Sequence, residues 1–476
     1  MSAEIRSRAA SIEGSALGGF GVQPPTRAEL RAQGKAHRSD LPLAAHAESG
    51  ADRPDRDAVG VLRAQEDARE HGLIPLRYGR MAASPFAFLR GSAAVMARDL
   101  AASPSTGLTV QLCGDAHVAN FGMYAAPDRS LVFDLNDFDE TYPGPFEWDV
   151  KRLAASVVVA ACAGGASDAA RHAAAVTTVK SYRKTIAAMA AMSPLEAWYA
   201  RVEVDELAAR LRRTALGKGV RRAAKKSLRN TGDVAVGKLT EAAPDGRLRF
   251  RADQPLLVPV DDHLEPGIDA RVAVLFDRYL STLTPDRQVL LSRFGYRAVA
   301  HKVVGVGSVG TRALVLLFES GDGDALLLQV KQAGRSVLET ISPPASTSPE
   351  HAGRRVVNGQ RLLQAASDPF LGWTEGTRLP RREYFVRQLR DMKGGVDLTA
   401  LDGEGLAMYG RVCGAVLARA HARAGSAAMI AGYLGGSSAF DEAVASFAVD
   451  YADVTERDHA ALCAAIADGV VPATTV

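Results

Sequence analysis

A short run of acidic and amide side chains between apolar segments constrains this chain more than any other feature. Asp115 and Asn120 lie five residues apart in the segment CGDAHVANFG, which we predict to be a loop. Asp137 follows a strand-like segment in the run VFDLNDFDE. A hard divalent cation prefers oxygen ligands of this kind, and Mg²⁺ takes only one or two carboxylates when phosphate oxygens supply the rest. A carboxylate can also orient a hydroxyl group for attack on phosphorus, so the run predicts phosphate chemistry.

The spacing of these residues resembles the catalytic and metal-binding loops of protein kinases, most closely the H-G-D-x-x-x-x-N loop of aminoglycoside and choline kinases, although a cysteine replaces the histidine here. The resemblance implies that Asp115 is the catalytic base, Asn120 a metal ligand and Asp137 the main metal ligand. Asp134 and Asp139 are further candidates, for a second metal ion or for tuning the first. The competing interpretation is a polar loop whose acidic side chains cap turns.

Composition indicates an ordinary globular protein. The chain has 476 residues, of which 47% are apolar and 23% charged, and its formal net charge of +3 gives no reason to expect a nucleic-acid or membrane partner. The four cysteines are widely spaced and form no C-x-x-C pair, which argues against a zinc site or a disulfide scaffold. No apolar signal-peptide core is found in residues 1–22, and the longest apolar run, 153–164, is too short to span a membrane. We therefore expect a soluble cytoplasmic protein.

Three arginines among aromatic residues precede the acidic run. Arg77, Arg80 and Arg90 lie in the segments RYGRM and SPFAFLRG, which look like loops. Arginine is the planar, permanently charged partner of phosphate or carboxylate. These side chains are candidates for binding substrate or phosphate, and structural salt bridges to the acidic loop are the alternative.

Two flanking features receive structural interpretations. Asp149 is twelve residues beyond Asp137 and falls near a helix start, where a carboxylate is favourable. In the small-molecule kinases an aspartate at this spacing braces the catalytic loop, so we assign Asp149 a structural role. The strongly basic segment 210–229 could contact nucleic acid or an acidic substrate. Since it contains no interleaved aromatic residues, a solvated helix face explains it better and nucleic acid is not expected.

Near residue 296 the sequence pattern changes. It predicts a strand, a glycine loop, a second strand, a tight turn and a third strand. A dinucleotide-binding fold needs a helix after the glycines, but β-type residues follow at 314–318. The arrangement instead resembles the nucleotide cover of protein kinases. Loop N–H groups can approach phosphates because glycine has no side chain. The implied nucleotide-binding residues are Gly305, Gly307, Ser308, Gly310 and Lys331.

Two alternatives accompany this assignment. The segment could be a hairpin with bulge glycines and a solvent-exposed lysine. In kinases the lysine pairs with a glutamate on the following helix, which we place at 350–366. Glu339 is our candidate for that partner, and Glu350 is the alternative.

The order of these segments is unusual, because kinases place the glycine loop and lysine before the catalytic loop. The predicted helix at 406–423 resembles the helix that precedes H-G-D, and joining its end to Leu108 would restore the usual order. Permutation is tolerated when the joined ends lie close together. The long segments CGDAHVANFG, GPFEWDVKRLAAS and VVGVGSVGTR resemble a bacterial family of unknown function numbered 2252 over about residues 30–470. That family is grouped by resemblance with the kinase-like superfamily.

We therefore expect an α+β, protein-kinase-like fold of two lobes, circularly permuted, with a helix-rich large lobe and a small antiparallel sheet lobe. The expected divisions are a mobile arm at 1–55, the helix-rich lobe at 56–293, the β lobe with its hinge at 294–397, and helices completing the large lobe at 398–476. The expected function is ATP- and Mg²⁺-dependent phosphoryl transfer to a hydroxyl group of a small molecule. Nucleotidyl transfer from ATP and non-catalytic nucleotide binding are the alternatives, and the oligomeric state remains open.

Overall fold

The computed structural model describes residues 23–244, 246–261, 263–303, 309–342, 351–377, 381–389 and 391–474. Within them the fold is mixed α+β, as predicted, and helices dominate. The helices are α1 Arg27–Asp40, α2 Ala58–Arg63, α3 Ile74–Ala82, α4 Pro85–Gly91, α5 Ala93–Ala101, α6 Phe146–Ala163, α7 Asp168–Met189, α8 Pro194–Tyr199, α9 Val204–Arg210, α10 Ala215–Arg229, α11 Gly232–Leu239, α12 Ile268–Leu280, α13 Pro285–Leu291, α14 Ala352–Leu363, α15 Gly403–Ala424, α16 Ala427–Leu434 and α17 Ala439–Ala467.

The strands form one large sheet and three two-stranded ladders. They are β1 Thr109–Leu112, β2 Phe121–Ala125, β3 Leu131–Leu135, β4 Tyr142–Pro145, β5 Thr240–Ala242, β6 Leu248–Phe250, β7 Leu257–Val260, β8 Phe294–Lys302, β9 Ala313–Ser320, β10 Ala325–Ala333, β11 Gly372–Glu375 and β12 Glu383–Gln388. The large sheet has the order β11-β12-β10-β9-β8-β7 and is antiparallel throughout. The β1–β4 ladder joins the two ends of the acidic segment, residues 113–141, and the β2–β3 ladder lies within that segment.

The largest core lies where the long helices α6, α7, α15 and α17 pack together against the acidic segment. The large sheet has a second core on one face, where α12 covers it with Val272, Leu275 and Tyr279. Because β7 pairs with β8 and α12 packs on the sheet, the unit built around the sheet begins well before residue 294, where we had placed its boundary.

Residues 23–55, which we expected to belong to a mobile arm, are packed against the helical body. A capping box at Thr26 and Glu29 starts α1. Arg38 donates hydrogen bonds to the carbonyl oxygens of Gly432 and Tyr433. The expectation of a mobile arm was wrong for residues 23–55, because their polar composition gives no indication of their two close contacts with α16. Residues 1–22 lie outside the described part.

We predict that Gly432→Ala lowers the free energy of unfolding by about 1–3 kcal/mol. A Cβ at Gly432 would overlap the carbonyl oxygen of Arg31, and one at Gly34 would overlap that of Met429. Intrinsic helix propensity alone would give the opposite sign, a gain of up to about 1 kcal/mol. Gly237 lies in α11 with no heavy atom within 4 Å of the added Cβ, so Gly237→Ala is the matched control and should be neutral or stabilising. Equal effects of the two substitutions in urea unfolding would contradict the close packing of α1.

A second prediction concerns His46, which is fully buried and packs against Tyr433 of α16 and Phe440 of α17. Tyr433 donates its hydroxyl proton to the carbonyl of Leu41 at 3.0 Å, so His46 Nε2, 2.7 Å away, carries the proton of the neutral ring. Burial, together with Lys151, lowers the pKa of His46 to about 3. Between that value and the unfolded pKa of ~6.5, the unfolded state binds more protons.

The contribution of His46 to stability is therefore complete above the unfolded pKa and declines as the pH falls, by up to about 1.4 kcal/mol for each pH unit. Urea unfolding of the wild type and of His46→Phe between pH 4 and pH 8 checks this. The wild type should lose more stability on acidification than the variant. Parallel pH profiles would show that His46 does not titrate in this way.

Several helix boundaries differ from the predictions. The loop-like segment 76–91 forms α3 and α4, because Pro75 lies in the first turn of α3 and Ser84 caps α4. The sequence of residues 231–260 predicts short strands, but this stretch begins with helix α11, whose Ala235 and Val236 pack under the large sheet. The sequence predicts separate helices at 439–448 and 450–467, but the two stretches form one continuous helix, α17. None of the described helices combines the length and apolarity needed to cross a membrane.

Candidate active site

The candidate site lies where the large sheet meets the acidic segment. Alternation along β10 places Gln329 and Lys331 on the same face, toward the helical body. The ammonium group of Lys331 contacts Asp139 Oδ2, which is 192 residues away in the chain. Lys331 is only 2% exposed. The structure thus brings together the two segments that we had predicted to form one site.

A cavity of about 500 Å³ opens beside this contact. Its wall includes polar side chains from the acidic segment, β10, α14 and the segment after β12, among them Asn136, Asp137, Gln329, Lys331, Gln360 and Lys393. The segment after β12 pairs with β2, because Met123 and Gly394 exchange backbone hydrogen bonds of 2.7 and 2.9 Å. We call residues 391–394 the hinge segment.

Asp137 remains ionised at the edge of this cavity. Burial alone would raise the pKa of its carboxyl group, but the positive charges of Lys331, Arg387 and Lys393 outweigh burial and hold that pKa well below its usual range. Its Oδ1 accepts a hydrogen bond of 3.3 Å from the backbone N–H of Asp139. Burial and the charge of Asp137 raise the pKa of Asp139, in opposition to the effect of Lys331.

Asn120 is oriented by the catalytic loop itself. It ends a short 3₁₀ turn, Val118–Asn120, and its Nδ2 donates a hydrogen bond of 2.7 Å to the carbonyl oxygen of Asp115. That bond leaves the side-chain oxygen Oδ1 available as a ligand. Asn136 donates its backbone N–H to the carbonyl of Asn120 at 2.9 Å, which ties the loop that carries Asp115 to the loop that carries Asp137.

The carboxylate of Asp115 is held on one side only. Its Oδ1 accepts hydrogen bonds of 2.8 and 2.7 Å from Nε and Nη2 of Arg152, a buried residue of α6. Its Oδ2 lies 3.7 Å from Nε2 of His117, beyond hydrogen-bond distance. Burial lowers the pKa of His117 to about 4. His117 is therefore neutral near pH 7, and Asp115 Oδ2 is the oxygen available to a substrate hydroxyl group.

Asp149 contacts the catalytic loop from the first turn of α6. Its two oxygens accept hydrogen bonds from the backbone N–H groups of Cys113 at 2.7 Å and Gly114 at 3.0 Å. His421 Nε2 lies 3.2 Å from Asp149 Oδ2, and the other ring nitrogen of His421 is 2.8 Å from the Tyr182 hydroxyl. All of these groups except Gly114 are buried, so Asp149 fixes the loop that carries Asp115.

Two predicted site residues have other roles. Asp134, expected as a metal ligand, points away from the cavity because β3 is buried: its oxygens accept hydrogen bonds from the backbone N–H groups of Leu135 at 2.9 Å and Ala365 at 3.1 Å. Glu339, the expected partner of Lys331, forms its ion pair with Arg335 at 3.2 Å instead, one turn away along the chain. The Lys331–Glu339 pair was therefore a wrong prediction.

The glycine loop is only partly described. Gly305, Gly307, Ser308 and the alternative glutamate, Glu350, lie outside the described residues. Gly310 has a φ of +90° and its carbonyl accepts a hydrogen bond of 2.7 Å from the backbone N–H of Glu70.

The three candidate arginines lie in different surroundings. Arg77 is fully buried and donates to Gln65 Oε1 at 2.9 Å and to the carbonyl of Gly91 at 3.2 Å, so it is structural. Arg80 lies in the last turn of α3. Arg90 makes no hydrogen bond or ion pair within the described residues. Burial lowers its pKa, and the charges that oppose this shift are Asp115 and Asp137. Arg90 therefore faces the acidic loops with an uncommitted guanidinium group.

Sequence reasoning missed four residues that shape the site. Arg355 of α14 donates to the backbone carbonyls of Asp139 at 2.8 Å and Gly334 at 2.9 Å, so it clamps the metal-binding loop to the sheet. Arg152, Arg387 and Lys393 approach the acidic segment from positions distant in the chain. Only Arg152 left a signal, since it lies three residues after Asp149 and so on the same helix face.

Few side-chain donors are available for a metal ion at this site. Among the described residues, no group of three or more His, Cys, Asp or Glu side chains is arranged to hold a metal ion. One ionised carboxylate, that of Asp137, and the amide oxygen of Asn120 are available. This small number of protein ligands is typical of Mg²⁺ sites that take the remaining oxygens from phosphates and water.

These observations define a mixed α+β protein in which a six-stranded antiparallel sheet packs against a helical body, with a cavity where the sheet meets the acidic segment. Residues 69–465 match the family described as "Uncharacterized protein conserved in bacteria (DUF2252)", and the chain belongs to that family. No curated protein matches the chain, and no solved structure does so either.

Proposed function

We propose that the protein is an ATP- and Mg²⁺-dependent phosphotransferase that acts on a hydroxyl group of a small molecule. One observation carries the proposal: Lys331 contacts Asp139, and Lys331 and Asp137 line one cavity. In protein kinases, a lysine on the third strand and an aspartate beyond the catalytic loop hold the nucleotide phosphates and the metal ion in this manner.

Support for a kinase-like, permuted fold comes from the order of the elements. The strands β8, β9 and β10 precede α14, and β11, β12 and the hinge segment follow it, which is the order of a kinase nucleotide lobe. The chain leaving α15 passes directly against β1: a Cβ on Gly425 would lie 2.6 Å from Val110 Cγ1. The end of α15 and the start of β1 are therefore close enough for a short connection to restore the usual kinase order.

The available donor atoms support a role for each residue in this proposal. Asp137 and the Oδ1 of Asn120 would hold Mg²⁺, and Lys331 would pair with the phosphates. Bound Mg²⁺ would offset the charge that gathers on the phosphate oxygens during transfer. Arg90, whose pKa is influenced by the charges of both Asp115 and Asp137, would contact the transferred phosphoryl group.

In the proposed reaction the acceptor hydroxyl oxygen attacks the γ-phosphorus. The new O–P bond forms as the bond from the γ-phosphorus to the β–γ bridging oxygen breaks, and ADP leaves with that electron pair. Asp115 Oδ2 accepts the hydroxyl proton, while Arg152 keeps Oδ1 fixed. Asp149 maintains the loop geometry and contacts no reacting atom.

The fate of labelled ATP tests the proposal. The full chain is incubated with Mg²⁺, a panel of sugars, amino alcohols and nucleosides, and ATP labelled at either the γ- or the α-phosphorus. Phosphoryl transfer predicts that γ-label appears in a product and that ADP forms, and both should be lost in Asp115→Asn. Transfer of α-label with release of pyrophosphate would overturn phosphotransfer in favour of nucleotidyl transfer.

A further inference from the structure

We propose that Arg387 and Lys393 form a phosphate-binding subsite on the hinge side of the cavity. The inference deepens the proposed function and rests on it, because the subsite lies in the cavity assigned to the nucleotide and substrate. The subsite uses positively charged side chains other than Lys331, the lysine that the proposed function assigns to the nucleotide phosphates.

Arg387 presents uncommitted donors to the cavity. Its Nε donates to Gln329 Oε1 at 3.0 Å, and its guanidinium group lies 5.5 Å from the centroid of the Phe385 ring. Its two terminal nitrogens, Nη1 and Nη2, have no hydrogen bond or ion pair within the described residues. A guanidinium group fixed at Nε and stacked on a ring is preorganised to donate both terminal nitrogens to one oxyanion.

Lys393 adds a second cation without a partner. Its side chain makes no hydrogen bond or ion pair in the described part of the chain, although its carbonyl accepts a bond from Asn230 Nδ2 at 2.8 Å. Burial and the nearby charges of Arg387 and Lys331 lower the pKa of its ammonium group to about 7, against the opposing pull of Asp137 and Asp368. A bound anion would relieve this crowding of positive charge.

The other carboxylates on this wall are already engaged. Asp368 accepts hydrogen bonds from the backbone N–H groups of Phe370 at 2.8 Å and Gln388 at 2.6 Å. Asp391 binds Arg129 through both of its oxygens. Asp137 is the remaining carboxylate near the two cations, and the proposed function reserves it for the metal ion.

Polar side chains accompany the two cations on the cavity wall. Gln329, Gln360 and Gln364 share the wall with Arg387 and Lys393, which suits a phosphate. Tyr124, Phe370 and Leu389 give the same cavity an apolar portion of the kind that ring ligands use. Gln360 is only 5% exposed, and its Oε1 has no hydrogen-bond partner among the described residues, so it can accept a hydrogen bond from a ligand N–H or O–H group. The phosphate could belong to the nucleotide itself or to a phosphorylated acceptor.

Binding of inorganic tripolyphosphate to the full chain without Mg²⁺ tests the subsite, measured by calorimetry and thermal stability. The wild type and Asp137→Asn should bind it, and the double variant Arg387→Gln/Lys393→Met should bind at least 10-fold more weakly. Arg129→Gln is the matched control, since Arg129 lines the same cavity but is paired, and it should change the affinity less than 3-fold. Lys393→Met alone loses no ion pair, so it should stay folded and still weaken binding if the double variant does not fold.

Titration with ATP and Mg²⁺ separates the two sources of the phosphate. Weaker ATP binding by the double variant assigns the subsite to the nucleotide, whereas unchanged ATP binding with lost tripolyphosphate binding assigns it to a phosphorylated acceptor. Tripolyphosphate binding that is absent, or equal in the wild type and the double variant, overturns the subsite. If the subsite is overturned but ATP and Mg²⁺ still bind through Asp137, the proposed function is retained without the subsite.

Discussion

Asp137→Asn should remove the Mg²⁺-dependent part of ATP binding and leave the chain folded. In the wild type, ATP with Mg²⁺ at about 100 times its dissociation constant should stabilise the fold by roughly 2.7 kcal/mol. The asparagine side chain keeps an oxygen atom but lacks the negative charge of Asp137. In the wild type, Lys331, Arg387 and Lys393 keep that carboxyl group ionised. The Mg²⁺-dependent increment should therefore fall close to zero, and turnover should fall by about 10²–10³-fold.

Asp391→Asn provides the control for that substitution. Asp391 lines the same cavity, but its carboxylate binds Arg129 and its side chain has no assigned role with metal. Its variant should keep the Mg²⁺-dependent stabilisation. Thermal unfolding of the three proteins with ATP alone, Mg²⁺ alone and both together gives the comparison. Equal Mg²⁺-dependent shifts in the wild type and Asp137→Asn would remove Asp137 from the metal site.

Asp149→Ala should lower the free energy of unfolding by about 3–5 kcal/mol. The substitution leaves the backbone N–H groups of Cys113 and Gly114 without acceptors in the interior, and it deprives His421 of its partner. Buried donors that lose their acceptor cost their full desolvation free energy. Urea unfolding, with the midpoint and slope fitted separately, measures the loss.

Asp149→Asn is the companion variant, because its amide oxygen can still accept one of the two backbone hydrogen bonds. It should fall between the wild type and Asp149→Ala. A loss below about 1 kcal/mol in Asp149→Ala would show that the carboxylate does not brace the loop. If Asp149 does brace the loop, a loss of activity in Asp149→Asn at temperatures where this variant remains folded reflects a change in the position of Asp115.

The sequence predicted the large sheet well and its surroundings less well. Strands β8, β9 and β10 were visible because runs of β-branched and aliphatic residues are separated by the turn at 321–324. Helix α11 was missed because Val234 and Val236 favour strands by propensity, and packing of Val236 under the sheet decided the outcome. The helices α3 and α4 were missed because their aromatic residues, glycines and prolines resemble a loop when burial is unknown.

The residues of the candidate site also fall into those that the sequence predicted and those that it did not. Asp115, Asn120, Asp137 and Asp149 were recognisable because their spacing along the chain is short and regular. Arg387 and Lys393 reach the site through strand pairing and the hinge segment, which no local pattern encodes. Asp134 looked equivalent to Asp137 in sequence, but strand alternation turns its side chain into the body, where it meets the backbone of Ala365.

Calorimetric titration of ATP into the full chain, with and without Mg²⁺, tests the central claim most directly. That claim is that Lys331 and the Asp115–Asp137 loops form one nucleotide site. We predict one ATP bound for each chain, with an affinity that rises at least about 10-fold when Mg²⁺ is present, or roughly 1.4 kcal/mol. No binding of ATP or any other nucleoside triphosphate, or binding that is indifferent to Mg²⁺, would contradict the account.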